Sequence, residues 1–371
     1  MKPFVPDRLP LDCLDWAAHV TLIGRANAAL ARYDGTLEGI VNPAVLLSPL
    51  TTQEAVLSSR IEGTQASMEE VLEFEATPRE EITPEKRADI QEIINYRQAM
   101  EVAVVKLQKR PLCLNLIKEL HAILLKSVRG KNKSPGEFRR SQNYIGSPGC
   151  SIEEATFVPP SPDNLPTALD NWEKYLHTEE KDGLVQLGVA KAQFEIIHPF
   201  LDGNGRLGRM LIPLFLFASG LLSKPMFYMS AYLEEHREVY YRRLRAISEE
   251  KDWNGWVAFF LTALTEQAEQ NTKKVRAIIG LYEGLKGRVV DITHSQYAVQ
   301  ALDAIFSQPI FRSTQFQQLA RIPTRPTTML ILNKLEEAGI LKVLEEGKGR
   351  RPALIVFPDL INLAAEGKTV V

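Results

Sequence analysis

Residues 198–209 read His198-Pro199-Phe200-Leu201-Asp202-Gly203-Asn204-Gly205-Arg206-Leu207-Gly208-Arg209. Before this stretch, apolar residues at helical spacing predict a helix that ends near His198, because Pro199 cannot continue it. After it, the almost wholly apolar run from Arg206 to Ser219 predicts a second, buried helix. Gly203-Asn204-Gly205 is therefore expected at the N-terminus of that second helix.

The groups gathered in this stretch suit a nucleoside triphosphate. The free N–H groups and the dipole at a helix N-terminus favour an anion, and the two glycines permit close backbone approach. Arg206 and Arg209 share one helix face, and their guanidinium forks suit phosphate oxygens. Asp202 is an oxygen ligand of the kind that Mg²⁺ takes alongside phosphates. His198, with an ordinary pKa of about 6.5, can accept a hydroxyl proton near neutral pH.

Each part of the stretch also has an ordinary explanation. A histidine beside proline is usually a helix-end residue, Gly-Asn-Gly is usually a turn, and two arginines on one helix face are usually solvated. Taken together, these ordinary explanations would have to account for charged side chains and glycines that all occur at the start of one strongly apolar helix. The spacing matches neither GxxxxGK[ST] nor GxGxxG after a strand. The combined pattern favours a functional site.

The pattern HPFLDGNGRLGR resembles the HxFx[DE]GNGRxxR signature of the Fic (filamentation induced by cAMP) family at every specified position. Members of that family mostly transfer AMP from ATP to a Ser, Thr or Tyr hydroxyl of a protein. The resemblance implies that ATP and Mg²⁺ bind here, with His198 as the general base and Asp202 as the Mg²⁺ ligand. It implies these nucleotide-binding residues: Gly203, Asn204, Gly205, Arg206, Leu207, Gly208 and Arg209.

A second element lies upstream, where Thr51-Thr52-Gln53-Glu54 has the form of a capping box and predicts a short amphipathic helix over about residues 51–63. Ser58 and Glu62 share one face of that helix, which alone is unremarkable. Ser58 to Gly63 resembles the family's inhibitory motif, [ST]xxxE[GN]. The resemblance implies that Glu62 pairs with Arg209 and competes with the γ phosphate. In some relatives this glutamate also orients water for removal of AMP.

Two further parts of the site rest on the resemblance. Residues 142–160 predict a short hairpin or a loop, and they resemble the family's flap, which clamps the target's backbone by strand addition. Thr156 and Phe157 are the expected target contacts.

Tyr240 and Tyr241 fall on a charged helix predicted from Glu234 to Glu250. Alone they are ordinary amphipathic packing, and by resemblance they border the adenosine.

The composition is that of a globular protein with 371 residues, 45% hydrophobic residues and a net charge of −2. No run of 18 apolar residues predicts a membrane span, and the first residues lack the apolar core of a signal peptide. Three scattered cysteines fit neither a disulfide framework nor a metal site. We therefore expect a cytoplasmic protein without membrane contact.

The expected fold is mainly α, with a Fic-type helical core, a small β-hairpin flap and a C-terminal winged helix-turn-helix. We predict an N-terminal helical region at 1–110, a catalytic core at 111–265, a helical linker at 266–289 and the winged helix at 290–371. In the last region the patterns predict three helices: one around Val299 to Ile305, then Ser313–Ala320 and Thr324–Ala338. A hairpin (341–344 with 354–357) follows them.

A winged helix at residues 290–371 would make DNA a candidate partner of this region. A recognition helix would carry Arg325, Thr327 and Thr328 toward a groove, and the wing would bring Lys348, Arg350 and Arg351 to phosphates. However, residues 290–371 contain nine basic and eight acidic side chains, a net charge of only +1. That charge is small for a DNA-binding domain. Winged helices also serve as dimer or protein contacts, so a homodimer is a further expectation.

Three functions follow as hypotheses. The first is an ATP-dependent protein adenylyltransferase that Glu62 inhibits, with reverse activity and with protein hydroxyls, including its own, as acceptors. The second is a transcription regulator in which the core senses nucleotide and the tail binds DNA. The third is the same core moving phosphate, UMP or phosphocholine. Retention of both motif arginines and of Asn204 favours AMP transfer.

Overall fold

The computed structural model describes residues 2–77, 82–126, 130, 132–147, 149–349 and 351–365. The first half of the chain is helical: α1 (Trp16–Glu38), α2 (Pro43–Leu46), α3 (Ser48–Ile61), α4 (Met68–Ala76), α5 (Pro84–Leu107), α6 (Leu114–Leu124), α7 (Leu165–Leu176) and α8 (Gly183–Ile197). The second half continues with α9 (Asn204–Ala218), α10 (Ser230–Glu235), α11 (Arg237–Glu250), α12 (Trp253–Thr293), α13 (Ala298–Ser307), β1 (Ile310–Arg312), α14 (Ser313–Leu319), α15 (Arg325–Glu337), β2 (Lys342–Glu345), β3 (Leu354–Val356) and α16 (Pro358–Ala364).

The predicted mainly α fold is confirmed, because the described residues are mainly helical with one small sheet, whereas the winged helix stays a prediction. They divide into two compact units. The first comprises residues 1–34, 57–63 and 94–269, and the second comprises residues 35–56, 64–93 and 270–371. Within the described part of the chain, none of the helices has both the length and the apolar composition that crossing a membrane requires. The domain boundaries expected from the sequence stay a prediction.

The first unit is centred on α8 and α9, which are buried along almost their whole length. A helix that is apolar on all sides must be covered on all sides, and aromatic side chains from α7 and α12 do much of this. Trp172 donates its indole N–H to the carbonyl of Ala190 at 2.7 Å. Trp256 likewise donates to the carbonyl of Gly188 at 2.8 Å. These bonds satisfy the polar edges of buried rings and hold α8 in place.

In the second unit, β3 is the central strand of an antiparallel sheet with the order β1-β3-β2. The three helices and the hairpin predicted for the C-terminal region are confirmed as α13, α14, α15 and the pair β2 and β3. Strand β1 and helix α16 were not expected, because elements of 3 and 7 residues are too short for a periodicity to be recognised.

The predicted capping box at residues 51–54 is wrong, because α3 begins three residues earlier, at Ser48. Pro49 fits the first helical turn, where its missing N–H is not needed. Thr51 and Thr52 lie inside the helix and donate their hydroxyls to the carbonyls of Leu47 and Ser48, four residues back. A capping box does occur at the next helix, where Ser67 and Glu70 exchange hydrogen bonds around α4.

Two other helix boundaries also differ from the predictions. The charged helix expected from Glu234 is split at His236 into α10 and α11, so that Tyr240 and Tyr241 lie in the first turns of α11. Residues 266–289, predicted as a helical linker, lie within α12, a helix of 41 residues that begins earlier, at Trp253, and ends later, at Thr293; their role as a linker stays a prediction.

Candidate active site

His198 stands at the junction of α8 and α9 with a left-handed backbone (φ 48°, ψ 60°). Its Nδ1 lies 3.3 Å from the carbonyl oxygen of Glu195. A carbonyl oxygen can only accept, so Nδ1 is the donor and Nε2 carries the lone pair in the neutral ring. Burial lowers the pKa of His198, with Glu195 opposing that shift. The residue is thus a neutral imidazole with an accepting nitrogen at pH 7.

Arg139 holds this left-handed junction in place, although the sequence did not single it out as a site residue. Its Nε donates to the carbonyl of His198 at 3.0 Å, and its Nη2 donates to the carbonyl of Pro160 at 2.5 Å. Its own N–H donates to the carbonyl of Pro199 at 2.9 Å. Burial alone lowers the pKa of Arg139 to about 10, which leaves it charged. One guanidinium therefore ties the end of the flap to the histidine.

The loop before α9 is closed by Asn204. Its side-chain amide accepts from the N–H of Phe200 and donates to the carbonyl of the same residue, both at 2.9 Å. Gly203 adopts φ 78°, which only glycine takes readily, and its N–H donates to Asp202 Oδ1 at 2.6 Å. The side chain of Asn204 thus shapes the loop. The groups of this loop that are predicted to bind phosphate are its backbone N–H groups.

His121 is a site residue that the sequence did not indicate. Its Nδ1 accepts from the N–H of Gly136 at 2.8 Å, and its Nε2 donates to the carbonyl of Asp202 at 3.0 Å. The ring stacks on Phe200, with centroids 3.8 Å apart and planes 18° apart. Burial lowers the pKa of His121 to about 4, against an opposing contribution from Asp202. The ring is therefore neutral and fixed in one tautomer beneath the motif loop.

The depressed pKa of His121 makes the folded state sensitive to acid. The folded pKa lies below the ordinary value of 6.5, so protonation favours the unfolded chain as the pH falls from about 6.5 to about 4. We expect His121 to account for a loss of about 3 kcal/mol of unfolding free energy over that range. Urea unfolding of the wild type and of His121→Gln at several pH values measures this. His177→Gln, at an exposed position, is the control and should retain the wild-type pH dependence.

Asp202 has the properties of a carboxylate that would bind Mg²⁺ together with the phosphates of a nucleotide. Its side chain is 38% exposed, and its Oδ1 lies 3.4 Å from Arg206 Nη2. Among the described residues no cluster of three His, Cys, Asp or Glu side chains could hold a metal. Mg²⁺ usually keeps several waters and takes one or two carboxylates together with substrate phosphates. The donor set therefore fits a Mg²⁺ ion that arrives with a nucleotide, and Asp202 would hold it.

Arg209 is buried to 1% exposure and is held by the upstream helix α3. Its Nη2 donates to Glu62 Oε1 at 2.8 Å and to the carbonyl of Ser58 at 2.7 Å, and its Nε donates to Ser58 Oγ at 2.8 Å. Although burial opposes both charges, the pair holds the pKa of Glu62 low and that of Arg209 high. The expected contact between Glu62 and Arg209 is present in the structure.

The Glu62 carboxylate also presses against the first turn of α9. A Cβ at Gly205 would lie only 2.1 Å from Glu62 Oε1, a distance that real Cβ atoms do not show. Glycine at this position therefore lets a carboxylate approach the helix N-terminus, where an anion is favoured. The carboxylate lies where the sequence predicts a phosphate group.

Of the other predicted nucleotide contacts, Leu207 and Gly208 have packing roles. The Leu207 side chain is 1% exposed, and its N–H already donates to the carbonyl of Gly203 at 3.1 Å. A Cβ at Gly208 would lie 2.3 Å from Glu195 Oε1, so glycine lets the start of α9 approach α8 closely.

The tyrosine pair on α11 divides into a buried and an exposed member. Tyr240 is 1% exposed and donates its hydroxyl to Glu195 Oε1 at 3.3 Å, while Lys191 lies 4.4 Å above its ring centroid. Tyr241 is 42% exposed, with its ring centroid 5.1 Å from that of Tyr240. Tyr241 thus has the accessible surface that stacking on a base requires, whereas Tyr240 supports it from the core.

In the described part of residues 142–160, the flap has one antiparallel bridge, between Ile145 and Phe157, rather than a regular hairpin. Thr156 is exposed and Phe157 is half-buried. The flap is tied to the motif loop because Asn143 Nδ2 donates to the carbonyl of Phe200 at 3.0 Å. The flap and the histidine therefore form one connected structure.

Comparison with known protein families gives two matches. The family model described as Fic/DOC family N-terminal matches residues 20–105. The model described as Fic/DOC family matches residues 111–216, which include every residue from His198 to Arg209. Together the two models span slightly more than half of the chain.

The curated relatives include a protein adenylyltransferase Fic from Drosophila grimshawi, 35% identical over 133 residues. The match covers 35% of this chain and 25% of the relative, so the chain spans about a quarter of the length of the relatives it matches. A crystal structure of a Fic family protein from Desulfovibrio desulfuricans is similar over 96% of this chain and 98% of its own, with a TM-score of 0.60 and 20% identity. A Fic domain containing signaling protein from Bacteroides thetaiotaomicron covers 68% of this chain and 97% of its own, with a TM-score of 0.54 and 16% identity. At these identities the structural likeness concerns the fold.

Proposed function

Because this chain belongs to the Fic/DOC family, we propose that it transfers AMP from ATP to a Ser, Thr or Tyr hydroxyl of a protein. One observation carries the proposal. A neutral histidine with an accepting Nε2 ends α8, and α9, whose N-terminal N–H groups favour an anion, begins six residues later at Asn204 and carries Arg209 on its second turn. General base and phosphate cradle are thus held by one loop.

In the proposed reaction, Nε2 of His198 accepts the proton of the acceptor hydroxyl. The hydroxyl oxygen then bonds to the α phosphorus of ATP, and the bond from that phosphorus to the bridging oxygen breaks, so that pyrophosphate leaves. Arg206 and Arg209 bind the β and γ phosphates. Mg²⁺, held at Asp202, would neutralise phosphate charge and orient the triphosphate.

We further propose that the wild-type chain is largely self-inhibited. Arg209 is already satisfied by Glu62 and Ser58, so ATP must displace a carboxylate to bind with its γ phosphate in place. Glu62 remains 35% exposed, which leaves room for a water beside it. Removal of AMP, with Glu62 orienting that water, is a second activity that this arrangement supports.

Intact-mass spectrometry tests the proposed reaction. After incubation of the Glu62→Gly chain and a cell lysate with ATP and Mg²⁺, we expect a mass increase of one AMP on this chain or on a lysate protein. Parallel incubations with UTP and with phosphocholine donors distinguish AMP transfer from its nearest alternatives. A phosphate adduct, a UMP adduct or a phosphocholine adduct in place of AMP would contradict the proposal.

The alternative of a DNA-binding regulator finds less support in the second unit. Thr328, expected at a DNA groove, is 1% exposed and donates its hydroxyl to the carbonyl of Thr324. Arg351 pairs with Glu345 at 3.0 Å, and Arg350 lies outside the described residues. Met329 and Leu330, at 37% and 55% exposure, make the outward face of α15 partly apolar. This surface favours a protein contact, and a homodimer remains a prediction.

A further inference from the structure

We propose that residues 2–15, the strap, position the flap for the acceptor polypeptide, because Phe4 binds the edge of the flap that the acceptor does not use. The assignment of an acceptor role rests on the proposed AMP transfer, whereas the mechanical role of the strap does not. The strap precedes α1 and lies in the first compact unit, as do the flap and the motif loop.

The middle of the strap is anchored to helices α8 and α12. Asp7 accepts from Gln193 Nε2 at its carbonyl (2.7 Å) and from Trp253 Nε1 at its carboxylate (2.9 Å). Gln193 belongs to α8, five residues before His198, and is 1% exposed. The strap is therefore attached to the helix that carries the proposed base.

The second half of the strap has equally specific anchors. Leu9 is 3% exposed, and its N–H and carbonyl both pair with the side-chain amide of Asn171, at 2.9 and 2.8 Å. Asn254 donates to the carbonyl of Cys13 and accepts from the N–H of Asp15. The amide of Asn171 satisfies both backbone groups of the buried Leu9 and so fixes the path of the strap there, because an unpaired buried group is costly.

The first part of the strap reaches the flap through Phe4. Its N–H donates to the carbonyl of Val158 at 2.9 Å, and its ring packs on Phe157, with centroids 5.7 Å apart. Phe4 is half-buried, whereas the next residue, Val5, is 72% exposed. Phe4 is thus the contact by which the strap holds the outgoing strand of the flap.

The hydrogen-bond pattern shows which flap edge is covered. The N–H groups of Thr156 and Phe157 both donate to the carbonyl of Ile145, at 2.7 and 3.1 Å, as in a β-bulge. On an extended strand, successive backbone groups point to opposite edges, so Val158 presents its carbonyl to the other edge, where Phe4 binds it. An acceptor polypeptide that adds as a strand must then use the opposite edge, at residues 144–146.

The exposed side chains agree with that assignment. Tyr144 and Ile145 are 43% and 41% exposed, so both side chains are accessible to an acceptor polypeptide on that edge. Because the strap binds one edge of the flap, an acceptor strand can add only at the other edge. Phe4 is a positioning residue: it acts on the acceptor strand through Phe157 and Val158 and does not touch the nucleotide site.

Amide hydrogen exchange tests the mechanical part without any enzyme assay. In Phe4→Ala, loss of the ring contact should raise exchange of the Ile145, Thr156 and Phe157 amides by about 2- to 10-fold. Val5→Ala, the exposed neighbour, is the matched control and should leave these amides unchanged. Equal flap exchange in the two variants would overturn the proposal.

The acceptor role is tested in the Glu62→Gly background with α-labelled ATP and lysate proteins as acceptors. Phe4→Ala should lower labelling of lysate proteins by about 2- to 10-fold, with the KM for ATP unchanged, and Val5→Ala should not. A raised KM for ATP, or unchanged labelling, would overturn the acceptor role. If the Glu62→Gly chain itself transfers no AMP, the proposed function fails, while the exchange experiment still decides whether the strap holds the flap.

Discussion

The Glu62→Gly chain is expected to transfer AMP roughly ten- to a hundred-fold faster than the wild type, because a charge-assisted hydrogen bond contributes about 1.5–3 kcal/mol. In the wild type, Glu62 Oε1 lies 2.8 Å from Arg209 Nη2 and blocks the turn at Gly205. Removing the carboxylate frees both the guanidinium and the helix N-terminus for the triphosphate. Incorporation of label from α-labelled ATP at equal protein concentration measures the gain.

Graded variants separate the charge of Glu62 from the shape of α3. Glu62→Gln keeps the size of the side chain and should give a smaller gain than glycine. Ser58→Ala removes only the hydroxyl that accepts from Arg209 Nε and should also give a small gain. Arg60→Ala is the matched control, since among the described residues Arg209 takes its partners from Ser58 and Glu62. No gain in Glu62→Gly, or an equal gain in Arg60→Ala, would refute the inhibition.

Adding His198→Ala to the Glu62→Gly chain is expected to lower AMP transfer by about 10²–10⁴-fold, the usual contribution of a general base. Burial keeps the imidazole neutral, and the bond from Nδ1 to the carbonyl of Glu195 leaves Nε2 to accept the proton. Single-turnover labelling measures the loss. ATP affinity, followed by calorimetry, should change little, since His198 acts on the acceptor hydroxyl.

The control for this variant is His177→Ala, an exposed histidine after α7, which should transfer AMP at the rate of the Glu62→Gly chain. Circular dichroism must show that His198→Ala retains its helices, because His198 ends α8 and its carbonyl accepts from Arg139. Labelling that survives undiminished in a folded His198→Ala chain would exclude the histidine as the base.

Long periodic segments were predictable from the residues alone. The apolar runs on both sides of His198 predicted α8 and α9, and both are present within a few residues of the expected bounds. The contact of Glu62 with Arg209 was expected only through resemblance to a family. No periodicity relates two residues that lie 147 positions apart.

The predictions for the start of α3 and for strand β1 failed for physical reasons. Thr51 and Thr52 looked like a helix cap, but a hydroxyl can instead bond four residues back inside a helix. The short strand β1 exists because β3 offers it an edge, and local propensity in three residues is too weak to show this. Neither choice is encoded in neighbouring residues.

What the chain dictates locally is the chemistry of the motif: a histidine, a carboxylate, flexible glycines and two arginines at the start of an apolar helix. What only the folded molecule decides is how those groups are poised. His121 and Arg139 fix the loop, Glu62 occupies Arg209, and Phe4 holds the flap, all across long sequence separations. Burial and pairing set protonation and access, and both depend on side chains that the fold alone brings together.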